Sequence, residues 1–109
     1  MNIDMHKNIT MTRGDSESIT VSCEQEPFAD GDKVTLTVRV SRDDTKKLMQ
    51  KDVTAFPDGK ALICIDPEDT SSLEFGTYIY DIQLTRSNGV VKTPVKGKFT
   101  VDLEVTYDD

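Results

Sequence analysis

Apolar and polar residues alternate with a period of two along most of the chain, and no window of helical length carries a 3.6-residue repeat. The clearest case is "KVTLTVRVSR", where Val34, Leu36, Val38 and Val40 point one way and Thr35, Thr37, Arg39 and Ser41 the other, as in a strand with one buried and one wet face. "SITVSC" repeats the pattern with Ile19, Val21 and Cys23, and "TYIYDIQLT" sets Tyr78, Tyr80, Ile82 and Leu84 against Ile79, Asp81, Gln83 and Thr85. "VKGKFTVDLEV" adds Val95, Phe99, Val101, Leu103 and Val105, with Gly97 at an inward position that admits a bulge or a close neighbour. Three shorter segments complete a set of about seven: "NITMT" around Ile9 and Met11, "KLMQKDV" around Met49 and Val53, and "ALICI" with Ala61, Ile63 and Ile65.

Turn chemistry falls between these segments. Asn88-Gly89 suits the positive φ angles of a type I′ hairpin, Asp58-Gly59 after Pro57 predicts a second hairpin into "KALICI", and Asp30-Gly31 closes the connection into the Val34 strand. "DPEDTSSLEFGTY" differs, because Asp66 can cap a turn with Pro67 at its first position and acids behind it, which predicts one short helical turn crossing between sheets. Seven short strands in about 100 residues predict an all-β fold, an immunoglobulin-like two-sheet antiparallel β-sandwich, in preference to a closed barrel. Residues 1–109 read as a single β-sandwich domain with its core at about 9–106, and the acidic "TYDD" as a frayed tail.

Charge narrows the partners. With 20 acidic and 13 basic residues the formal net charge is −7, which disfavours nucleic-acid backbones and anionic membranes. No apolar stretch is long enough to span a membrane, and "MNIDMHKNITMTRGD" has no signal-peptide core, so the expectation is a soluble chain made in the cytoplasm. Cys23 and Cys64 are too few for a disulfide scaffold or a zinc cage; alternation places them in different environments, as free thiols.

Candidate chemistry is sparse. His6 is the sole histidine and has no identifiable partner to orient it as a base, so an exposed imidazole is the simpler reading. The paired acids Asp43-Asp44, Glu68-Asp69 and Asp108-Asp109 point apart in extended structure and mark solvated surface. "FADGDK" and "DPEDTSS" each gather oxygen donors of the kind calcium takes, but the EF-hand spacing is absent and one cluster already serves as a helix cap. The six glycines stand singly, so no phosphate cradle is present. No catalytic, cofactor-binding or metal-ligating residue is assigned, and no cofactor is expected. Arg13-Gly14-Asp15-Ser16 spells an integrin-binding tetrapeptide, yet it lies between two strand patterns where Gly and Asp are what a tight turn favours. The surfaces best suited to a partner are the Thr-, Lys- and Arg-rich strand faces at Thr35, Thr37, Arg39, Thr85, Lys96 and Lys98, together with the sheet edges.

Taken in order, "ITMTRGDSESITV", "KVTLTVRVSR", "IDPEDTSSLEFGTYIYDIQLT" and "VKTPVKGKFTVDLEVT" resemble small β-sandwich modules of phages and prophages of Gram-positive bacteria, in the style of the N-terminal domain of the baseplate upper protein. The resemblance covers about Ile9 to Thr106. It implies that Arg13, Gly14 and Asp15 form a structural turn, with Gly14 supplying its backbone angle and Asp15 capping it. "PEDT" would be the crossover and "GTYIYDIQ" the central core strand. It also implies a non-catalytic structural or interaction module of the virion, in tail or baseplate, assembled in the bacterial host cytoplasm. Other virion proteins, or a further copy of the chain, would be its partners. Baseplate upper proteins continue into helical and receptor-platform parts that this sequence does not contain. The alternative is an adhesive or carbohydrate-binding immunoglobulin-like domain of a bacterial surface protein, which would need export; a small enzyme would have to use His6.

Overall fold

The structure, a computed structural model, describes residues 2–3 (backbone only), 7–23, 25–41, 43–44 and 46–102. The expectations for His6, Leu103, Val105 and Asp108-Asp109 lie outside them. Among the described residues the chain is all-β in two sheets with one short α-helix. In order the strands are β1 (Asn2–Ile3), β2 (Ile9–Thr12), β3 (Glu17–Val21), β4 (Lys33–Arg39), β5 (Met49–Val53), β6 (Ala61–Ile65), β7 (Gly76–Thr85) and β8 (Val91–Asp102), with helix α1 (Pro67–Thr70) between β6 and β7. Six form one curled sheet in the order β1-β2-β8-β7-β4-β5, and β3 pairs with β6 in a second. Among the described residues no helix is long and apolar enough to cross a membrane.

The alternating positions do face inward. Ile9, Met11, Ile19, Val34, Leu36, Val38, Met49, Ala61, Ile63, Ile65, Tyr80, Ile82, Phe99 and Val101 are buried between the sheets, and Val21, Cys23, Val53, Tyr78, Leu84 and Val95 are half-buried around them. Val40 is an exception: β4 ends at Arg39, so Val40 lies past the ladder and is 54% exposed. The sheets are not wholly antiparallel either, because β2 runs parallel to β8, with Ile9 beside Phe99 and Met11 beside Val101. Local alternation orients side chains but carries no information about which strand lies alongside.

Two of the three turns differ from expectation. At Asn88-Gly89 only Gly89 has positive φ (+92°), and the Gly89 N–H donates to Arg86 O while the Arg86 N–H donates to Val90 O. This is the longer hairpin loop with a bulge glycine, not a two-residue type I′ turn. Asp58 and Gly59 do take positive φ (+59° and +72°), yet β5 and β6 belong to different sheets, so this turn starts a crossover and not a hairpin. The third, Asp30-Gly31, closes with the Asp32 N–H on Ala29 O and Gly31 at +95°.

The inward Gly97 of β8 faces Tyr80 of β7. A Cβ there would overlap the backbone carbonyl of Lys7, and the Tyr80 hydroxyl donates to that same carbonyl. The missing side chain thus forms a notch in which the segment before β2 is held against the core.

Candidate docking surfaces

At the Arg13-Gly14-Asp15 turn, the Asp15 N–H donates to Thr12 O at 3.2 Å, and Gly14 has φ +84°, the backbone conformation glycine adopts most cheaply. The Gly14 N–H donates to Thr70 Oγ1 at 2.9 Å, and Thr70 is fully buried on α1. Arg13 donates from Nη1 to Leu73 O at 3.3 Å, and its guanidinium sits 5.2 Å from the centre of the Phe75 ring. Its backbone N–H donates to Asp102 O at 3.0 Å. The tripeptide therefore ties β2, α1 and the end of β8 together, and of its three residues only Asp15 is exposed. Asp15 closes the turn with its backbone N–H, where a capping side chain was expected.

The two acidic clusters weighed for calcium are occupied by protein partners. Asp32 Oδ2 accepts from the Ala29 N–H and from Arg86 Nη1 at 3.0 Å, and its Oδ1 accepts from the Ser87 N–H at 2.8 Å. Backbone donors at Ala29 and Ser87, with Arg86 beside them, hold the Asp32 carboxyl below its usual range. Arg86 also donates to Glu26 O at 2.7 Å and lies 4.8 Å from the Phe28 ring centre, so the β3–β4 loop is clamped to the start of the β7–β8 hairpin. In the second cluster Asp69 accepts the Asp66 N–H at 2.7 Å, one half of a capping box, and pairs with Lys51 at 2.7 Å. The hydrogen bond and charge of Asp69 raise the Lys51 ammonium above its ordinary range, against an opposing desolvation. Asp44 accepts the Lys46 N–H and Asp43 is exposed. Among the described residues no group of three or more His, Cys, Asp or Glu is placed to hold a metal ion. Both cysteines are free thiols, Cys23 half-buried and Cys64 exposed between the inward Ile63 and Ile65.

The outer strand face differs from its sequence expectation at two residues. Thr35 and Thr37 point away from the core as alternation requires, but both are buried, because Thr35 donates to Asp52 Oδ1 at 2.8 Å and Gln50 donates to Thr37 from the neighbouring strand β5. Arg39 pairs with Asp81 at 3.5 Å. Lys96 and Lys98 remain exposed on β8, flanking Gly97, and Thr85 is half-buried.

Among the open surfaces are two clefts and one strand edge. Beneath the β7–β8 hairpin a cleft of about 470 Å³ is lined by Cys23, Gln25, Glu26, Leu84, Arg86, Val90, Lys92 and Pro94, with the exposed Val90 at its rim. Between the sheets beside β3, a second of about 260 Å³ reaches Ile19, Val21, Tyr80, Ile82 and Val95. Among the described residues β3 has a ladder with β6 alone, so its second edge is unpaired by any described strand. The Asp32–Arg86 clamp and the Thr70 anchor left no mark in the sequence, since their partners lie 54 and 56 residues apart. No family model matches this sequence, and no curated protein is significantly similar to it.

Proposed function

We propose that the chain is a non-catalytic interaction module of a phage or prophage particle, in tail or baseplate, built on an immunoglobulin-like sandwich. One observation carries the reading: the motifs on which the resemblance rests are in mutual contact as framework. The R-G-D turn donates from Gly14 to Thr70 of the P-E-D-T helix, and Arg13 lies over Phe75, next to the Gly76 that begins the G-T-Y strand. Residues used in this way hold strands together; they are not left free for chemistry.

The immunoglobulin-like assignment is supported by strand order. β3 and β6 share one sheet while β4, β7 and β8 are neighbours in the other, matching the B–E and C–F–G arrangement of such sandwiches. The Tyr78 hydroxyl donates to Glu74 O at 2.6 Å, four residues upstream at the corner into β7, in the manner of a tyrosine corner. The departure is β2, which joins β8 and not the β3 side. Docking through a strand edge or face would bury an apolar patch with a polar rim.

A second reading, a carbohydrate-binding domain of a bacterial surface protein, draws on the cleft under the β7–β8 hairpin with its Gln25, Glu26, Arg86 and Lys92. That lining has no aromatic ring for a sugar face to stack on, and Arg86 is already bound by Asp32. The test mixes the purified chain with the tail and baseplate proteins encoded beside its reading frame and follows complexes by size-exclusion chromatography. Co-elution with one of them is the expected result. Failure with all of them, with retention on immobilised glycans, would overturn the particle reading in favour of the second.

A further inference from the structure

We propose that Asn88-Gly89 is a site of spontaneous covalent modification promoted by its hairpin loop. There the chain attacks its own side chain and then takes up water, turning a neutral amide into a carboxylate or an isoaspartyl link.

The Val90 N–H donates to Asn88 Oδ1 at 3.0 Å, which closes an Asx turn and folds the Asn88 carboxamide back over the peptide that joins it to Gly89. A bond from Gly89 N to Asn88 Cγ would close a five-membered ring, and Gly89 has no side chain to obstruct it. Negative charge would develop on Oδ1 as Cγ becomes tetrahedral, and the Val90 N–H already points at that oxygen. Both residues are exposed, so water reaches the loop. The loop is also held in shape: the Arg86 N–H donates to Val90 O at 2.8 Å, and Asp32 binds both the Ser87 N–H and the Arg86 guanidinium. One bond opposes the reaction. The Gly89 N–H donates to Arg86 O at 2.9 Å and has to be released first, at an exposed tip where local opening is cheap.

In the first step Gly89 N bonds to Asn88 Cγ and gives its proton to solvent, while the Cγ–Nδ2 bond breaks and the nitrogen leaves, protonated, as ammonia. Water then opens the cyclic imide. Cleavage at Cγ leaves aspartate; cleavage at the main-chain carbonyl leaves an isoaspartyl link, whose backbone runs through Cγ and is one carbon longer. Neither route needs an oxidant or reductant, and both add one negative charge to the hairpin tip. The isoaspartyl route also moves Gly89 N away from Arg86 O. The other asparagines, Asn2 and Asn8, each precede an isoleucine, whose branched side chain crowds the attacking nitrogen, and Asn8 Oδ1 already accepts the Lys98 N–H. Asp30-Gly31 and Asp58-Gly59 offer a carboxylate, a weaker electrophile than an amide.

The test incubates the folded full chain in mildly alkaline buffer beside a synthetic peptide of the loop sequence "TRSNGVVK", and follows both by anion exchange, peptide mass mapping and an isoaspartyl methyltransferase assay. The expected result is an acidic species whose change maps to Asn88, part of it isoaspartyl, formed at least as fast in the chain as in the peptide, with Asn2 and Asn8 intact. Val90→Pro removes the N–H that meets Oδ1 and keeps the carbonyl that accepts from Arg86. With its folding checked by thermal melting, this variant should convert about three- to tenfold more slowly than wild type, the worth of one hydrogen bond. If it does not fold, the comparison of wild-type chain and peptide decides alone. Slower conversion in the chain than in the peptide, conversion at Asn8 ahead of Asn88, or equal rates in wild type and folded Val90→Pro would each overturn the proposal.

Discussion

Gly97 shows how one absent side chain decides local structure. Its Cβ would overlap the Lys7 carbonyl and lie 3.1 Å from Cε1 of the buried Tyr80, so backbone, and not only a side-chain tip, would have to shift. Gly97→Ala should therefore cost about 1–3 kcal/mol, as overpacking does, measured by thermal or urea unfolding; an unchanged midpoint would contradict the notch. At the R-G-D turn the substitutions separate framework from ligand. Gly14→Ala forces alanine to φ +84°, and Thr70→Val leaves the Gly14 N–H without its acceptor, so each should cost about 1 kcal/mol or more. Asp15→Glu, at an exposed side chain, should stay within about 0.5 kcal/mol. An adhesion role would show the opposite pattern: cell attachment abolished by Asp15→Glu in a chain of unchanged stability. The tripeptide's position at a turn was legible from Gly14 and its neighbours. Its anchor was not, because nothing in "PEDT" says that Thr70 points inward to meet a residue 56 positions earlier.

Among elements, the clamp between the β3–β4 loop and the β7–β8 hairpin and the bond between β5 and α1 respond to opposite ends of the pH scale. Asp32 has a folded pKa below its ordinary 3.8, so its contribution is complete above 3.8 and is lost as pH falls through the lower folded value. The stability gap between wild type and Asp32→Asn should therefore be constant near neutrality and close as pH falls below the ordinary 3.8, as followed by urea unfolding. Lys51 has a folded pKa above 10.5, so its contribution is complete below 10.5 and is lost as pH rises through the higher folded value. Lys51→Met should then be less stable than wild type near pH 7, with the difference narrowing only in strong alkali; a gap unaffected by pH would contradict the ion pair with Asp69. Strand existence and facing were legible because alternation is a local signal. Pairing was not: the parallel β2–β8 ladder, the bulge at Gly89 and the separation of β5 from β6 are set by contacts far apart in sequence. The burial of Thr35 and Thr37 has the same origin, since it needs Asp52 and Gln50 of β5 alongside.

For the whole molecule, the two sheets are unequal among the described residues, six strands against two, and beside β3 the space between them stays open as a cleft. Among the described residues the exposed apolar side chains are spread over several places, Val40, Leu62, Phe75, Val90 and Val91, and form no single broad apolar face. The docking account makes the chain a fixed part of a particle, and the most direct measurement is immunogold electron microscopy of purified, induced phage particles with an antibody against this chain. The account predicts gold at the tail or baseplate of intact particles. Particles free of label, with the chain recovered only from the cell surface, would contradict it.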